Sequence, residues 1–316
     1  MPVLGIDLGG TKLATALFSE SGTLISKDVV ALDHRTHAQV GKLITDSVQR
    51  YFLDENSPVR SIGVSVPGIA HTKTGTVWAP NIPGWEDYPL LEEIRMVAGG
   101  IPVSMDSDRA CCMLGELWQG SARGCRDAIY LAVGTGIGAG VLIDGRILRG
   151  AHDIAGSVGW LALDKPFQDK YIPCGCFEYY ASGDGIAKLA RETLVAEKDY
   201  AGPLKEHTPE KLTAHHVFEA YEKNDRVAMK VFQECIQYWG MAVANLISIF
   251  NPEKIIFGGG VFGPALKFLK PIQEEARKWA QPISMTLVSF EPSGLLGDAA
   301  IYGAGFLALN KVSNNA

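Results

Sequence analysis

Two stretches of the chain, about 125 residues apart, follow one plan: an apolar strand, a glycine turn, a second apolar strand, a turn and a third strand. The first begins MPVLGIDLGGTK, with an apolar run over residues 3–6, another over 13–18, and Ser21-Gly22 turning the chain into a strand over 23–30. The second is an apolar run over 128–133, the turn Gly134-Thr135-Gly136-Ile137-Gly138, a strand over 141–143, Asp144-Gly145 and then Ile147-Leu148. A glycine turn between strands lets the backbone fold back tightly and brings bare N–H groups close to a ligand, usually an anion. Asp7, at the end of the first strand, is placed to hold a metal ion beside that anion. Taken alone, the first turn also fits a hairpin whose aspartate only bonds its own backbone. Its repetition, one copy per half, points to a duplicated α/β fold that grips a nucleotide between the halves.

Two better-known phosphate motifs nearly match and do not hold. A P-loop requires Gly-Lys-Ser/Thr, whereas this chain offers Gly10-Thr11-Lys12. Gly134-Thr135-Gly136 with Ala139 fits the loose dinucleotide pattern, but that pattern opens a helix and residues 139–143 have the composition of a strand.

The intervening chain alternates helix and strand. Val40, Leu43, Ile44, Val48 and Tyr51 recur at helical spacing, residues 61–66 form a strand ending at Pro67-Gly68, and 79–85 (APNIPGW) is a structured loop. A helix over 90–98 stops at Gly99-Gly100, and 101–105 is a short buried strand. Asp106-Ser107-Asp108 then opens a helix over 109–118. One of the three caps that helix, which leaves at least one carboxylate free at a strand-to-helix junction, where open α/β sheets place ligands. Residues 166–180 are expected to be irregular. Helices follow over 186–197, 217–223 and from Asp225 to Asn251-Pro252, the last with a core stripe from Val227 to Ile249. A strand over 254–257 leads into Gly258-Gly259-Gly260, a third glycine turn that opens a helix; a last strand is expected over 285–289, a closing helix over 297–309, and a frayed end over 311–316.

A chain of 316 residues with 47% hydrophobic and 20% charged residues has room for two domains with substantial cores. A net charge of −6 gives no support for nucleic-acid binding as the main role. No apolar run is long enough to span a bilayer and no leader precedes the first strand, so a cytoplasmic location with no membrane partner is expected. Six cysteines in this length do not make a disulfide scaffold, and Cys174-Gly175-Cys176 alone hints weakly at metal chemistry.

Taken in order, LGIDLGGTK, VSVPG, APNIPGW, the Asp106 junction, AVGTGIGAGV and IIFGGG resemble the ROK family of sugar kinases and related proteins, over nearly the whole chain. The resemblance implies an α/β, two-domain actin-like ATPase (ribonuclease H-like, hexokinase) fold with an interdomain cleft. The smaller sugar-side and phosphate-binding domain would span 1–115 plus 298–316, and a larger nucleotide-binding and dimerisation domain 116–297. It implies transfer of the ATP γ-phosphoryl group to a sugar hydroxyl, most often O6, by a homodimer. Carried over by position, Asp7, Gly9, Gly10, Thr11 and Lys12 of the first turn and Gly134, Thr135 and Gly136 of the second would cradle the phosphates. Asp7 would contact Mg²⁺ through water, and Gly258 and Gly259 would lie under the adenosine. Asp106 matches the aspartate that takes the proton from the attacking hydroxyl, and Gly68, Asn81 and Glu178 match positions that hold sugar hydroxyls. This chemistry needs positioning, metal charge and a base near the acceptor, with no Ser/His/Asp nucleophile.

The departures from the family fall on the acceptor side. Family members usually carry Asn-Asp where this chain has Met105-Asp106, replacing a ring-hydroxyl partner by a thioether. They carry AGExGH where residues 155–160 are AGSVGW, so that Glu becomes Ser157 and His becomes Trp160. That His is also a family zinc ligand, and the register of the remaining ligands puts Asp169 and Tyr171 in place of two cysteines, keeps Cys176 and leaves Cys174 out of register. No zinc site is expected, since a structural zinc needs four ligands. Two functions fit: a kinase whose acceptor is a glycoside, disaccharide or other bulky sugar facing Trp160, or a sugar or nucleotide sensor without turnover. The family's repressors carry a DNA-binding segment ahead of the first strand, where this chain begins.

Overall fold

In the computed structural model, which describes residues 1–52 and 59–313, the first glycine turn joins two antiparallel strands, β1 (Val3–Leu8) and β2 (Lys12–Phe18), paired from Val3 opposite Phe18 to Leu8 opposite Leu13. In chain order there follow β3 (Leu24–Ala31), α1 (Ala38–Phe52), β4 (Ile62–Val66), the short β5 (Ile69–Ala70) and β6 (Val77–Trp78), α2 (Leu90–Val97), β7 (Val103–Ser107) and α3 (Asp108–Gln119). The second half brings β8 (Ala128–Val133), β9 (Ile137–Ile143), β10 (Arg146–Ile147), α4 (Cys176–Ala181), α5 (Gly183–Ala196), α6 (Ala214–Glu222), α7 (Arg226–Phe250), β11 (Lys254–Gly258), α8 (Leu269–Ala276), α9 (Pro282–Leu287), β12 (Ser289–Pro292) and α10 (Ala299–Ser313).

The chain divides into two units. The first comprises Met1–Cys125, Gly140–Gly156 and Ser293–Ala316. Its sheet has the order β3-β2-β1-β4-β7, with β1, β4 and β7 parallel, so their C-terminal ends open on one edge. One face is covered by α1 and α2, whose Val40, Ile44, Val48, Leu90 and Ile94 bury against Ile62, Val64 and Val66. Each such side chain contributes roughly 1.5–3 kcal/mol on leaving water. On the other face α10 lies very close, because glycines line its seams. A Cβ on Gly63 would stand 1.9 Å from the Ala304 carbonyl, and one on Gly303 1.7 Å from that of Cys111 on α3. The small residues of the closing helix are therefore what bring it onto the strands.

The second unit comprises Arg126–Ala139 and Ser157–Pro292. The second sheet has the order β10-β9-β8-β11-β12, with β11 parallel to both β8 and β12, and the chain leaves this unit within β9. The 25-residue α7 buries the predicted stripe from Val227 to Leu246, but Ile249, expected to continue it, is exposed and Ile247 is buried instead. It starts under the Asp225 side chain, which accepts from the N–H groups of Val227 and Ala228, and ends at Asn251 in the left-handed region.

Several expectations need correction. The segment expected to be a strand at 285–289 is the end of α9 followed by β12: Pro282 sits in the first helical turn and Gln281 caps it through Ser284 N–H. The stretch 166–180 is not irregular throughout, since residues 169–171 form a 3₁₀ turn and Cys176 opens α4. The strand expected over 101–105 runs Val103–Ser107, so Asp106 is a strand residue and Ser107 is the cap, accepting from Ala110 N–H. The helix expected after the third glycine turn begins only at Leu269 as α8, after two 3₁₀ turns over Gly260–Phe262 and Pro264–Phe268. Of the end expected to fray, residues 314–316 lie outside the described residues.

Candidate active site

In the first unit, strand register assembles the acidic site. Asp7 on β1 is level with Ser65 on β4, and Ser65 with Asp106 on β7. The three form one row near the C-terminal edge, with Asp7 and Asp106 two strand spacings apart, roughly 10 Å. Ser65 Oγ donates to Asp7 Oδ1 at 2.8 Å. Burial pushes the Asp7 carboxyl up to about 6; the Ser65 hydrogen bond and the charges of Lys12 and Lys27 only partly offset it, and Asp108 adds to the rise. Beside Asp7, Gly9 N–H donates to the Lys12 carbonyl at 2.9 Å and closes the turn. Neither Gly9 nor Gly10 takes a left-handed φ. Their lack of a side chain matters because a Cβ on Gly10 would stand 3.1 Å from Asn81 Nδ2. Gly68 is different: at φ +80° with the Trp78 carbonyl 2.1 Å from where a Cβ would be, only glycine fits.

Asp106 is 3% exposed. Its Oδ1 accepts from Ser107 N–H at 2.8 Å, and its Oδ2 accepts twice from Arg149, at 2.9 Å from Nε and 2.6 Å from Nη2. Burial raises its carboxyl above the usual range; Arg149 and the Ser107 N–H work against that rise and Asp153 adds to it. A second guanidinium, Arg109 at the start of α3, donates to the carbonyls of Gly68 (3.0 Å), Ala155 (3.2 Å) and Asp153 (3.3 Å). Asp153 in turn accepts from Thr72 through N–H and Oγ1. Segment 149–155 is thus pinned to Asp106, to the turn at Gly68 and to Thr72. Met105 packs against the core on the α2 side and borders a 330 Å³ pocket shared with Arg149, Arg95 and His71.

The second unit holds the other predicted residues. Gly134 and Thr135 line a 620 Å³ pocket together with Gly183, Lys188, His215 and Gly260, a volume in the range of small-molecule sites. Gly136 lies behind it: a Cβ there would stand 2.8 Å from Glu178 Oε2. Gly258 and Gly259 are held by packing. A Cβ on Gly258 would overlap the Tyr130 hydroxyl, and Gly259, at φ +86°, abuts the Val133 carbonyl. Gly260 faces the pocket with nothing within 4 Å. Glu178 on α4 accepts from Ile137 N–H at 2.6 Å, and burial raises its carboxyl above the usual range. Gly159 approaches Glu178 closely and Gly175 approaches Trp160, which places the 3₁₀ turn Val158–Trp160 and its N-cap Ser157 beside α4. The Trp160 ring is 59% exposed. Tyr171, in the zinc register, bonds through its hydroxyl to Asp164 and to Tyr180, and Tyr180 stacks on Tyr238. Among the described residues no group of three or more His, Cys, Asp or Glu side chains is arranged for a metal ion.

A model of the ROK family matches residues 3–311. The chain belongs to the ROK family. A glucokinase of Halalkalibacterium halodurans is 32% identical over 314 residues, covering 96% of this chain and 94% of that one. A beta-glucoside kinase of Listeria innocua is 29% identical over 83% of each chain. The crystal structure of a ROK family glucokinase from Streptomyces griseus, in complex with glucose and AMPPNP, superposes with a TM-score of 0.79 at 28% identity, covering 98% of this chain and all of that one. The two-sheet actin-like ATPase fold expected for a ROK protein is the fold found.

Sequence inspection missed Ser65, Arg109, Arg149 and the pocket-lining Lys188 and His215. Ser65 carried a usable signal, being a polar residue at the end of an apolar strand. The arginines carried none, because their partners lie 40 or more positions away.

Proposed function

We propose that this ROK protein is an ATP- and Mg²⁺-dependent carbohydrate kinase that phosphorylates a sugar hydroxyl, O6 of a hexose, hexosamine or glucoside, with Asp106 as general base. The observation that carries the reading is the row Asp7–Ser65–Asp106 at the strand ends. A metal-side carboxylate and a base-side carboxylate are two strand spacings apart, and the Ser65 hydroxyl between them is spent on Asp7. Glucokinase and beta-glucoside kinase relatives support the same reaction.

Asp7 fits a magnesium role: it is a half-buried hard-oxygen donor with its charge only partly offset by lysines. Bound there, Mg²⁺ would neutralise charge on the phosphate oxygens. The N–H groups of Gly10, Thr11 and Thr135, in turns closed by Gly9 and Gly134 N–H, suit the phosphates, and the 620 Å³ pocket suits the nucleoside. The first unit then serves the sugar and phosphates, and the second the nucleotide and a homodimer contact. Asp106, buried and with its carboxyl raised above the usual range, is a better proton acceptor than a free aspartate. Ser157 and the exposed Trp160 favour an acceptor with an apolar face or aglycone over a bare hexose.

The test is ADP release measured across monosaccharides, amino sugars, β-glucosides and disaccharides. Turnover is expected, fastest with a β-glucoside, and Asp106→Asn should lose roughly 10²–10⁴-fold in kcat. ATP binding without turnover on any acceptor would replace the kinase by a sensor.

A further inference from the structure

An ionised carboxylate offers about four lone-pair directions, two on each oxygen. On Asp106 three are occupied: both on Oδ2 by Arg149 Nε and Nη2, and one on Oδ1 by Ser107 N–H. We propose that Arg149 is a positioning residue for phosphoryl transfer: by filling Oδ2 it leaves the remaining lone pair of Oδ1 as the one place for the acceptor's hydroxyl proton. The proposal rests on the kinase reading above and names the atom that does the work.

The transfer then balances as follows. The acceptor hydroxyl oxygen bonds to the γ-phosphorus while the bond from that phosphorus to the β,γ-bridging oxygen breaks. The electron pair leaves with ADP, and the hydroxyl proton passes to Asp106 Oδ1. Arg149 stays on Oδ2 throughout and keeps the carboxylate from rotating, so the proton acceptor is already aimed before the sugar arrives.

Arg149 is itself held. Its carbonyl accepts from Ala155 N–H at 3.1 Å, and the segment between them is fixed by Thr72 on Asp153 and by the two bonds of Arg109 to the Ala155 and Asp153 carbonyls. A lysine could supply the charge at this position but not two donors to one oxygen. The groups facing Asp106 are few. Segment 149–155 brings Arg149 and Asp153, α3 brings the Cys111 thiol toward the Asp106 carbonyl, β4 brings Ser65 with Asp7 beyond it, and Arg95 of α2 shares the pocket with Arg149. The part of α10 up to Asn310 carries no charged side chain. Arg149 is therefore the cation that governs this carboxylate.

The test compares the full chain with Arg149→Met and Arg149→Lys. Carboxyl ¹³C titration of aspartate-labelled protein, with Asp106 assigned by its loss in Asp106→Asn, requires no turnover. The Asp106 titration should move up by about one pH unit or more in the methionine variant and stand between in the lysine variant. With the best acceptor at saturating Mg²⁺, kcat should fall roughly 10- to 100-fold in Arg149→Met, its acid limb moving the same way, with KM for ATP unchanged and partial recovery in Arg149→Lys. An unmoved Asp106 titration overturns the proposal. So does an unchanged kcat with a raised KM for the sugar, which would make Arg149 an acceptor contact. If the unmodified chain turns over no acceptor, the kinase reading fails, while the titration still decides whether Arg149 governs Asp106.

Discussion

Asp7, half-buried, and Asp106, buried, are both carboxylates with raised pKa, yet they are held differently. Asp106 has a guanidinium on it; Asp7 has a serine and distant lysines. An acid whose folded-state pKa lies above its unfolded value binds its proton more tightly when folded. Its contribution to stability is full below the unfolded value and is lost as pH rises through the folded one. For Asp7 that window runs from 3.8 to about 6. Over it the metal-free protein should lose on the order of 3 kcal/mol. Urea unfolding in EDTA should show this decline with pH, and Asp7→Asn should abolish it and be more stable than the parent at pH 7. An unchanged decline in the variant would assign it to other groups. Stability surrendered at Asp7 fits a position selected for a ligand.

At the scale of elements, the third glycine turn divides its tasks between neighbours. Gly259 has a left-handed φ and a carbonyl against it, whereas Gly260 has open space toward the 620 Å³ pocket. Gly260→Val should therefore raise the Kd for ATP, measured by titration calorimetry, by about tenfold or more while leaving the melting temperature nearly unchanged. Gly259→Ala should instead lower the melting temperature. Helix α3 shows a different device. Glu116, fully buried near its end, accepts from Ser121 N–H (2.7 Å), the Ser293 hydroxyl, Gly294 N–H (3.1 Å) and Leu295 N–H (3.3 Å). It fastens the segment that leads into α10. Glutamine would turn an amide donor toward donors, so Glu116→Gln should cost about 2–4 kcal/mol in urea unfolding. A loss under about half a kcal/mol would show that the segment is held otherwise.

For the whole molecule, the division into two units, with the acidic row in one and the 620 Å³ pocket in the other, makes ligand effects separable. Amide hydrogen exchange should show a non-hydrolysable ATP analogue protecting residues 134–135, 183–191 and 260–264 in the second unit. An acceptor sugar alone should protect 68–81 and 105–109 in the first. Protection by the nucleotide confined to the first unit would remove the assignment of the pocket. No helix among the described residues is long and apolar enough to cross a membrane.

What the sequence determined by itself was the local and periodic part. The strand–turn–strand repeat, the helical stripe of α7 and the order of the ROK motifs are short-range patterns, and the backbone follows them. It also marked Ser157 and Trp160 as departures from the family pattern. Segments without a clear period went astray: in place of the strand expected over 285–289, Pro282 and the Gln281 cap carry a helix through Leu287 and the strand starts at Ser289. Tertiary structure alone decided how Asp106 is held. Residues 106 and 149 are 43 positions apart, and nothing between them signals that a guanidinium will close on a buried carboxylate. Nor could the pattern of glycines tell which ones face a ligand and which face a carbonyl. Both depend on what the folded chain brings opposite a given atom, which no local spacing encodes.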